Sequence, residues 1–250
     1  MTYGPYLFAL ISPIFVEIMK KSTVFFLILL ILAADQALKY YIKTHFLLND
    51  TKHVIGNWFN LTFVENPGMA YGLKFGGNAG KMALTIFRFG AVIFGTWYIG
   101  RIIQKKYHKG FIICAALIYA GALGNLIDSA FYGMIFDKGT TFDPNTNMYF
   151  DYAGLAKLSS KGYSGFLHGN VVDMFHFPII NTKFPEWFPF WGGDQLQFFR
   201  PVFNLADAAI SVGVITILLF QKRFFRQQNG ASNHPVVETG AVVNDDVQVQ

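Results

Sequence analysis

Four aspartates, Asp35, Asp128, Asp173 and Asp207, lie in or beside long apolar runs of this 250-residue chain. Ionisable side chains are expensive there and mark functional candidates. Asn125 and Asp128 are three residues apart, and Asn204 and Asp207 repeat that spacing. Residues three apart share a helix face, so each pair can point into a bundle together. Two carboxylates brought close in a low-dielectric site cannot both ionise readily; one keeps a proton, and the pair offers a base and an acid at once. Such a pair can take a proton from attacking water and give one to a peptide carbonyl, which is aspartic-protease chemistry. Blander readings stand beside this one. Asp173 and Asp207 could be a turn residue and a helix cap, Asn125 and Asn204 could be bonds between helices, and Asp35 and Lys39 have the i to i+4 order that favours a structural ion pair. No serine or cysteine nucleophile with a paired histidine stands out. His168, Asp173 and His176 do not match a zinc-site spacing, so neither metal nor cofactor is required.

The elements that must position these groups are membrane helices. Hydrophobic residues make up 53% of the chain, aromatic residues 18% and charged residues only 14%, which is a membrane composition rather than that of a soluble domain. The net charge of +5 does not point to nucleic acid, because the basic residues sit in short clusters beside apolar runs, as orientation signals do. Spans of roughly 20 apolar residues are expected at Ser22 to Lys43, Met82 to Ile103, Phe111 to Phe131 and Val202 to Phe220. Cys114, the single cysteine, lies inside the third and reads as an inert packed thiol. Residues 1–21 read as an interfacial extension or as a start assigned too far upstream, 22–226 as the membrane domain, and 227–250 as a disordered cytoplasmic tail.

Lys20 and Lys21, then Arg101, Lys105, Lys106 and Lys109, then Lys222, Arg223 and Arg226 fall on one side of a four-span arrangement. The positive-inside rule makes that side cytoplasmic. The connections 44–81 and 132–200 are then outside. In the first, Trp58 to Val64 alternates as a strand does and leads to a turn at Asn66-Pro67-Gly68, so a small outer sheet is expected. In the second, the aromatic run from Phe184 to Arg200 suits headgroup depth, and Arg88 is expected to snorkel to the same level. All the acidic groups converge on the outer side, whereas the inner halves of the spans are bare of charge. An ion or proton pathway needs polar stations through the whole thickness. That counts against the alternative of a small ion-coupled transporter using Asp128 and Asp207; a non-catalytic scaffold is a third class.

Taken together, Asp35-Gln36-Ala37-Leu38-Lys39, Asn66-Pro67-Gly68-Met69-Ala70-Tyr71, Gly124-Asn125-Leu126-Ile127-Asp128, Val171-Val172-Asp173 and Phe203-Asn204-Leu205-Ala206-Asp207 resemble the motifs of bacterial lipoprotein signal peptidase, or signal peptidase II. The resemblance implies an aspartyl endopeptidase of the inner membrane, with four spans and a small extracytoplasmic sheet. It would cut the signal peptide from a prolipoprotein just before the diacylglyceryl-modified cysteine. It assigns Asp173 and Asp207 as the catalytic pair, with Asn66, Asn125, Asp128 and Asn204, and the Asp35–Lys39 pair, as supporting or substrate-binding positions. It implies a lipidated substrate, a phospholipid bilayer and a monomer, with both termini cytoplasmic and the active site at the periplasmic face. The chain departs from the family pattern in three places. Ser129 stands where an arginine usually follows the aspartate, leaving Arg88 or Arg200 to supply a cation, Tyr71 replaces the commoner phenylalanine, and residues 134–170 form an unusually long connection.

Overall fold

The computed structural model describes residues 19–68, 77–178, 180–183, 186, 195–198 and 201–231. Four helices in it are long and apolar enough to cross a membrane: α1 at Lys21–His45, α2 at Gly77–Gln104, α3 at Lys109–Ile127 and α4 at Leu205–Ala231. At about 1.5 Å per residue each exceeds or approaches the roughly 30 Å of a hydrocarbon core. Their outer faces are apolar, with Phe26 64%, Phe87 71% and Leu219 74% exposed, a distribution that water penalises and lipid accepts.

All four expected spans are present, with informative differences at the ends. Helix α2 begins at Gly77, five residues before the expected start. Helix α3 does not stop cleanly. It continues through a π-helical turn at Asp128–Tyr132 and a last α-turn at Gly133–Ile135, and such bulges frequently mark functional sites. The fourth span starts later than expected, because Val202–Phe203 is a strand and Asn204 is a cap. That helix runs to Ala231, past the expected start of the tail; residues 1–18 and 232–250 lie outside the described residues.

α3 packs against the three other helices. Against α4 the approach is close enough to require glycine, since a Cβ at Gly121 would lie 2.3 Å from the Ala206 carbonyl oxygen. Where the spans are bare of charge, Val24, Ile99, Ile102, Ile112, Ala116 and Phe224 fill a purely apolar core.

A four-stranded sheet covers the other end of the bundle. It joins β1 at Thr51–Ile55, β2 at Phe59–Asn66, β5 at Val171–His176 and β8 at Val202–Phe203 in the order β1-β2-β5-β8, each pair antiparallel. The expected strand is β2, shifted by a residue or two, and the expected turn follows it, with Gly68 at φ +104 and its amide bonded to Asn66 Oδ1 at 2.9 Å. Two short hairpins complete the outer part: β3 at Thr141–Asp143 with β4 at Met148–Phe150, and β6 at Ile180–Lys183 with β7 at Gln195–Phe198. Apart from Glu186 and Gln195–Phe198, the aromatic run from Phe184 lies outside the described residues. A second core of Ile42, Phe46, Phe63, Tyr132, Phe136 and Met174 seals the sheet onto the helices.

The glycine contact is testable by a matched pair. Gly121→Ala must drive two backbones apart and should lower stability by ~1–3 kcal/mol. Gly90→Ala, where a Cβ meets nothing within 4 Å, should leave the thermal midpoint unchanged or raise it. Equal midpoints for the two variants would contradict the packing.

Candidate active site

The site is assembled where α1, α3, α4 and the sheet converge. Strand register places its first carboxylate. Val64 faces Asp173 and Asn66 faces Val171 across the β2–β5 ladder. Side chains alternate between faces, so Val64, Asn66 and Asp173 share one face and Glu65 and Val172 the other. Asn66 therefore reaches the Asp173 carboxyl with its side chain.

A capping box places the second. Asn204 is the N-cap of α4: its Oδ1 accepts the Asp207 amide at 2.9 Å, and Asp207 Oδ2 accepts the Asn204 amide at 3.4 Å. This reciprocal arrangement satisfies two orphan donors of the helix start. The Asn-x-x-Asp spacing thus works through a cap at this helix and not through a shared helical face. A third donor, the Ala206 amide, reaches Asp35 Oδ1 at 2.9 Å, so α1 helps cap α4.

Between the aspartates lie two asparagine side chains. Asn204 Nδ2 donates to Asp173 Oδ1 at 2.7 Å and Asn125 Nδ2 donates to Asp207 Oδ1 at 2.7 Å, while Asn204 Nδ2 also reaches Asn125 Oδ1 at 3.1 Å. Lys39 fixes the direction of this bridge. Its ammonium occupies Asn125 Oδ1 at 2.9 Å, Asp35 Oδ2 at 2.9 Å and Asp128 Oδ2 at 2.7 Å, using all three N–H groups. An ammonium has no acceptor capacity, so Asn125 must turn its amide donors to Asp207. Gln36 closes the cluster on Asp128 Oδ1 at 2.8 Å. Lys39, Asp128 and Asn204 are fully buried, and Asp35, Asn125 and Asp173 are 4% exposed or less; Asp207 is half-buried.

All eight residues singled out from the sequence are accordingly in one connected cluster. Arg88 corrects one expectation. Instead of snorkelling, it is half-buried and turned inward, its Nη1 donating to Ser129 Oγ at 2.9 Å. Its charge interacts with Asp207, Asp128 and Asp173. An arginine in a span has lower free energy beside carboxylates than beside acyl chains when the geometry lets it reach them. Arg200 lies outside the described residues.

Burial, followed by the negative charge of Asp207, pushes the Asp173 carboxyl up to about 8. The shift favours the protonated form of the Asp173 carboxyl at neutral pH.

Sequence reasoning missed a second buried cluster behind β2. Glu65 Oε1 pairs with Lys43 and accepts the Tyr152 hydroxyl at 3.0 Å, and Oε2 accepts the Thr140 amide at 2.7 Å and Asn170 Nδ2 at 2.8 Å. Lys43 follows Lys39 by four residues, so the shared helix face was the available signal. The partners in the long connection had none.

The family model for signal peptidase (SPase) II matches residues 27–223. The chain belongs to the signal peptidase II family. Among the relatives of this signal peptidase II, a lipoprotein signal peptidase of Porphyromonas gingivalis is 42% identical over 200 residues, covering 79% of this chain and 81% of that protein. One from Amoebophilus asiaticus is 32% identical over 202 residues, covering 80% and 77%. Membership in a peptidase family removes support from the transporter and scaffold alternatives. It also agrees with the four apolar helices in making this a multi-pass membrane protein. All eight cluster residues fall within the matched segment.

The raised Asp173 carboxyl has a pH signature. Its neutral form is favoured by folding, so its contribution to stability is complete below the unfolded value of roughly 4 and is lost as pH rises through about 8. Asp173→Asn cannot ionise. Its unfolding free energy relative to wild type should therefore shift in the variant's favour between about pH 4 and pH 8, by an amount of order a few kcal/mol. A pH-independent difference would contradict the buried proton.

Proposed function

We propose that this signal peptidase II works by general acid–base catalysis with Asp173 and Asp207 as the acting pair. The overall activity is removal of signal peptides from prolipoproteins. The observation that carries the proposal is the amide bridge, in which Asn204 donates to one carboxylate and Asn125 to the other. Each acid is thereby held by an asparagine, and the two asparagines are bonded to one another.

At rest the shared proton sits on Asp173. Asp207 is the base of the pair, at the N-terminus of α4 and within reach of the charge of Arg88. Asp207 takes a proton from water as the oxygen attacks the scissile carbonyl, and Asp173 protonates the carbonyl oxygen. The tetrahedral diol then collapses: Asp207 passes its proton to the leaving amine, and Asp173 regains one from a diol hydroxyl. Each positioned transfer contributes roughly 10²- to 10⁴-fold.

Arg88 supplies the cation that Ser129 does not. Among the described residues its only hydrogen bond is to Ser129, which leaves guanidinium donors for a carbonyl oxygen of the bound peptide. The substrate cysteine carries a diacylglyceryl group whose acyl chains stay in the bilayer and hold the cleavage point at the depth of the site. The basic flanks of the spans support a chain with both ends in the cytoplasm of a bacterium, in the inner membrane, with the dyad facing the periplasm. The peptidase acts as a monomer.

Purified enzyme incubated with a lipidated prolipoprotein tests the dyad. Asp173→Asn and Asp207→Asn, each with unchanged secondary structure, should each lose at least about 10²-fold in kcat/KM; wild-type turnover by either would sink the mechanism. Arg88→Ala should raise KM about tenfold while sparing kcat more, in keeping with roughly 1.5–3 kcal/mol for a hydrogen bond to a charged donor. An unchanged KM would remove Arg88 from the substrate site.

A further inference from the structure

The long connection between α3 and β5 is tied to the site by the buried cluster behind the sheet. Glu65 stands next to Asn66 on β2, on the opposite face. Its four neighbours Lys43 Nζ, Tyr152 Oη, Thr140 N and Asn170 Nδ2 are all donors, two to each carboxylate oxygen. A carboxylate, which offers acceptors on both oxygens, matches that set. Lys43 is further enclosed by the rings of Phe136, Tyr163 and Tyr152, its Nζ 5.0, 5.2 and 5.5 Å from their centroids.

Asn170 immediately precedes β5. Its Nδ2 is held by Glu65 and by the Thr140 carbonyl at 2.8 Å, its Oδ1 by Lys81 Nζ at 2.6 Å, and its backbone amide by the Tyr163 hydroxyl at 2.8 Å. Just before it, the Gly169 amide bonds the Ser129 carbonyl at 2.9 Å, and a Cβ at Gly169 would lie 2.1 Å from the Asp128 carbonyl oxygen. The chain therefore enters β5 with its position fixed from α1, α2, the π-turn and the long connection. Asp173 lies three residues further on.

We propose that Glu65 and Asn170 are positioning residues for the dyad, and that the long connection is a brace that sets where Asp173 stands. Glu65 clamps β2 from behind, which fixes Asn66 against Asp173; Asn170 clamps the start of β5, which fixes Asp173 against Asn204. This inference rests on the reading of Asp173 as catalytic, and the experiment separates the two. Glu65→Gln turns an amide donor toward two donors at one oxygen position. Asn170→Ala leaves the Lys43–Glu65 pair in place and removes the link to β5. Thr146→Ala removes an exposed contact within the long connection, to Asp143, that reaches neither Glu65 nor Asn170.

The assay is cleavage of a lipidated prolipoprotein by full-length enzyme in phospholipid bicelles, with kcat and KM determined from pH 5 to 9. Glu65→Gln and Asn170→Ala should lower kcat at least tenfold with KM within threefold, and should move the alkaline limb of the kcat profile, because displacing Asp173 from Asn204 and Asp207 changes how the pair holds its proton. Thr146→Ala should keep wild-type kcat and profile. If Glu65→Gln fails to fold, Asn170→Ala and Asn170→Ser decide alone. Wild-type kcat and an unmoved profile in the folded Asn170 variants, with Asp173→Asn inactive in parallel, would overturn the brace and leave the dyad standing. An active Asp173→Asn would instead overturn the dyad.

Discussion

A fully buried ammonium must be matched by acceptors, and Lys39 draws its acceptors from two helices. Asp35 comes from its own helix, Asp128 and Asn125 from α3. Removing an ion pair from water costs several kcal/mol per charge, and the cost is repaid only with complete hydrogen bonding. Here every N–H of the ammonium is used, and Asp35 passes the constraint on by capping α4 through the Ala206 amide. Three helices are thus registered against one positive charge. The orientation of the Asn125 amide, and through it the presentation of donors to Asp207, follows from that charge.

Much of this was legible in the sequence, because membrane solvation makes patterns sharp. Long apolar runs had to be helices, since no other open structure satisfies its backbone in lipid. An acid four residues before a lysine had to share its face. Alternation from Trp58 onward announced a strand, and β2 is there. What the sequence could not announce was geometry set by partners far along the chain. The fourth span starts at a cap because Val202 and Phe203 are taken by the sheet, pairing with His176 and Phe175. Arg88 turns inward because Ser129 leaves room and an acceptor beside three carboxylates. Glu65 reads as an ordinary polar position in an alternating strand, yet it is 6% exposed, because residues 75 and 105 positions later close over it.

The two polar clusters divide the labour between the faces of one sheet. On the bundle side, Asn66 and Asp173 meet the Asn–Asp pairs of α3 and α4. On the other side, Glu65 and Asn170 anchor the same two strands to α1, α2 and the long connection. At the opposite end the helices pack through an apolar core of Val24, Ile99, Ile102, Ile112, Ala116 and Phe224. Chemistry is confined to the end where strands can bring residues of distant sequence together. This arrangement also accounts for a site that needs no polar conduit through the bilayer.

The proposed mechanism depends on a single proton held by Asp173 and Asp207 at neutral pH. Isotope-edited infrared spectroscopy of the bilayer-embedded protein, with carboxyl-labelled aspartate, observes that proton directly. The expected result is a protonated carboxyl band at pH 7 that disappears above about pH 8, is absent in Asp173→Asn and titrates at lower pH in Asp207→Asn. Fully ionised aspartates at pH 7, or a band indifferent to both substitutions, would contradict the shared proton and the acid–base mechanism built on it.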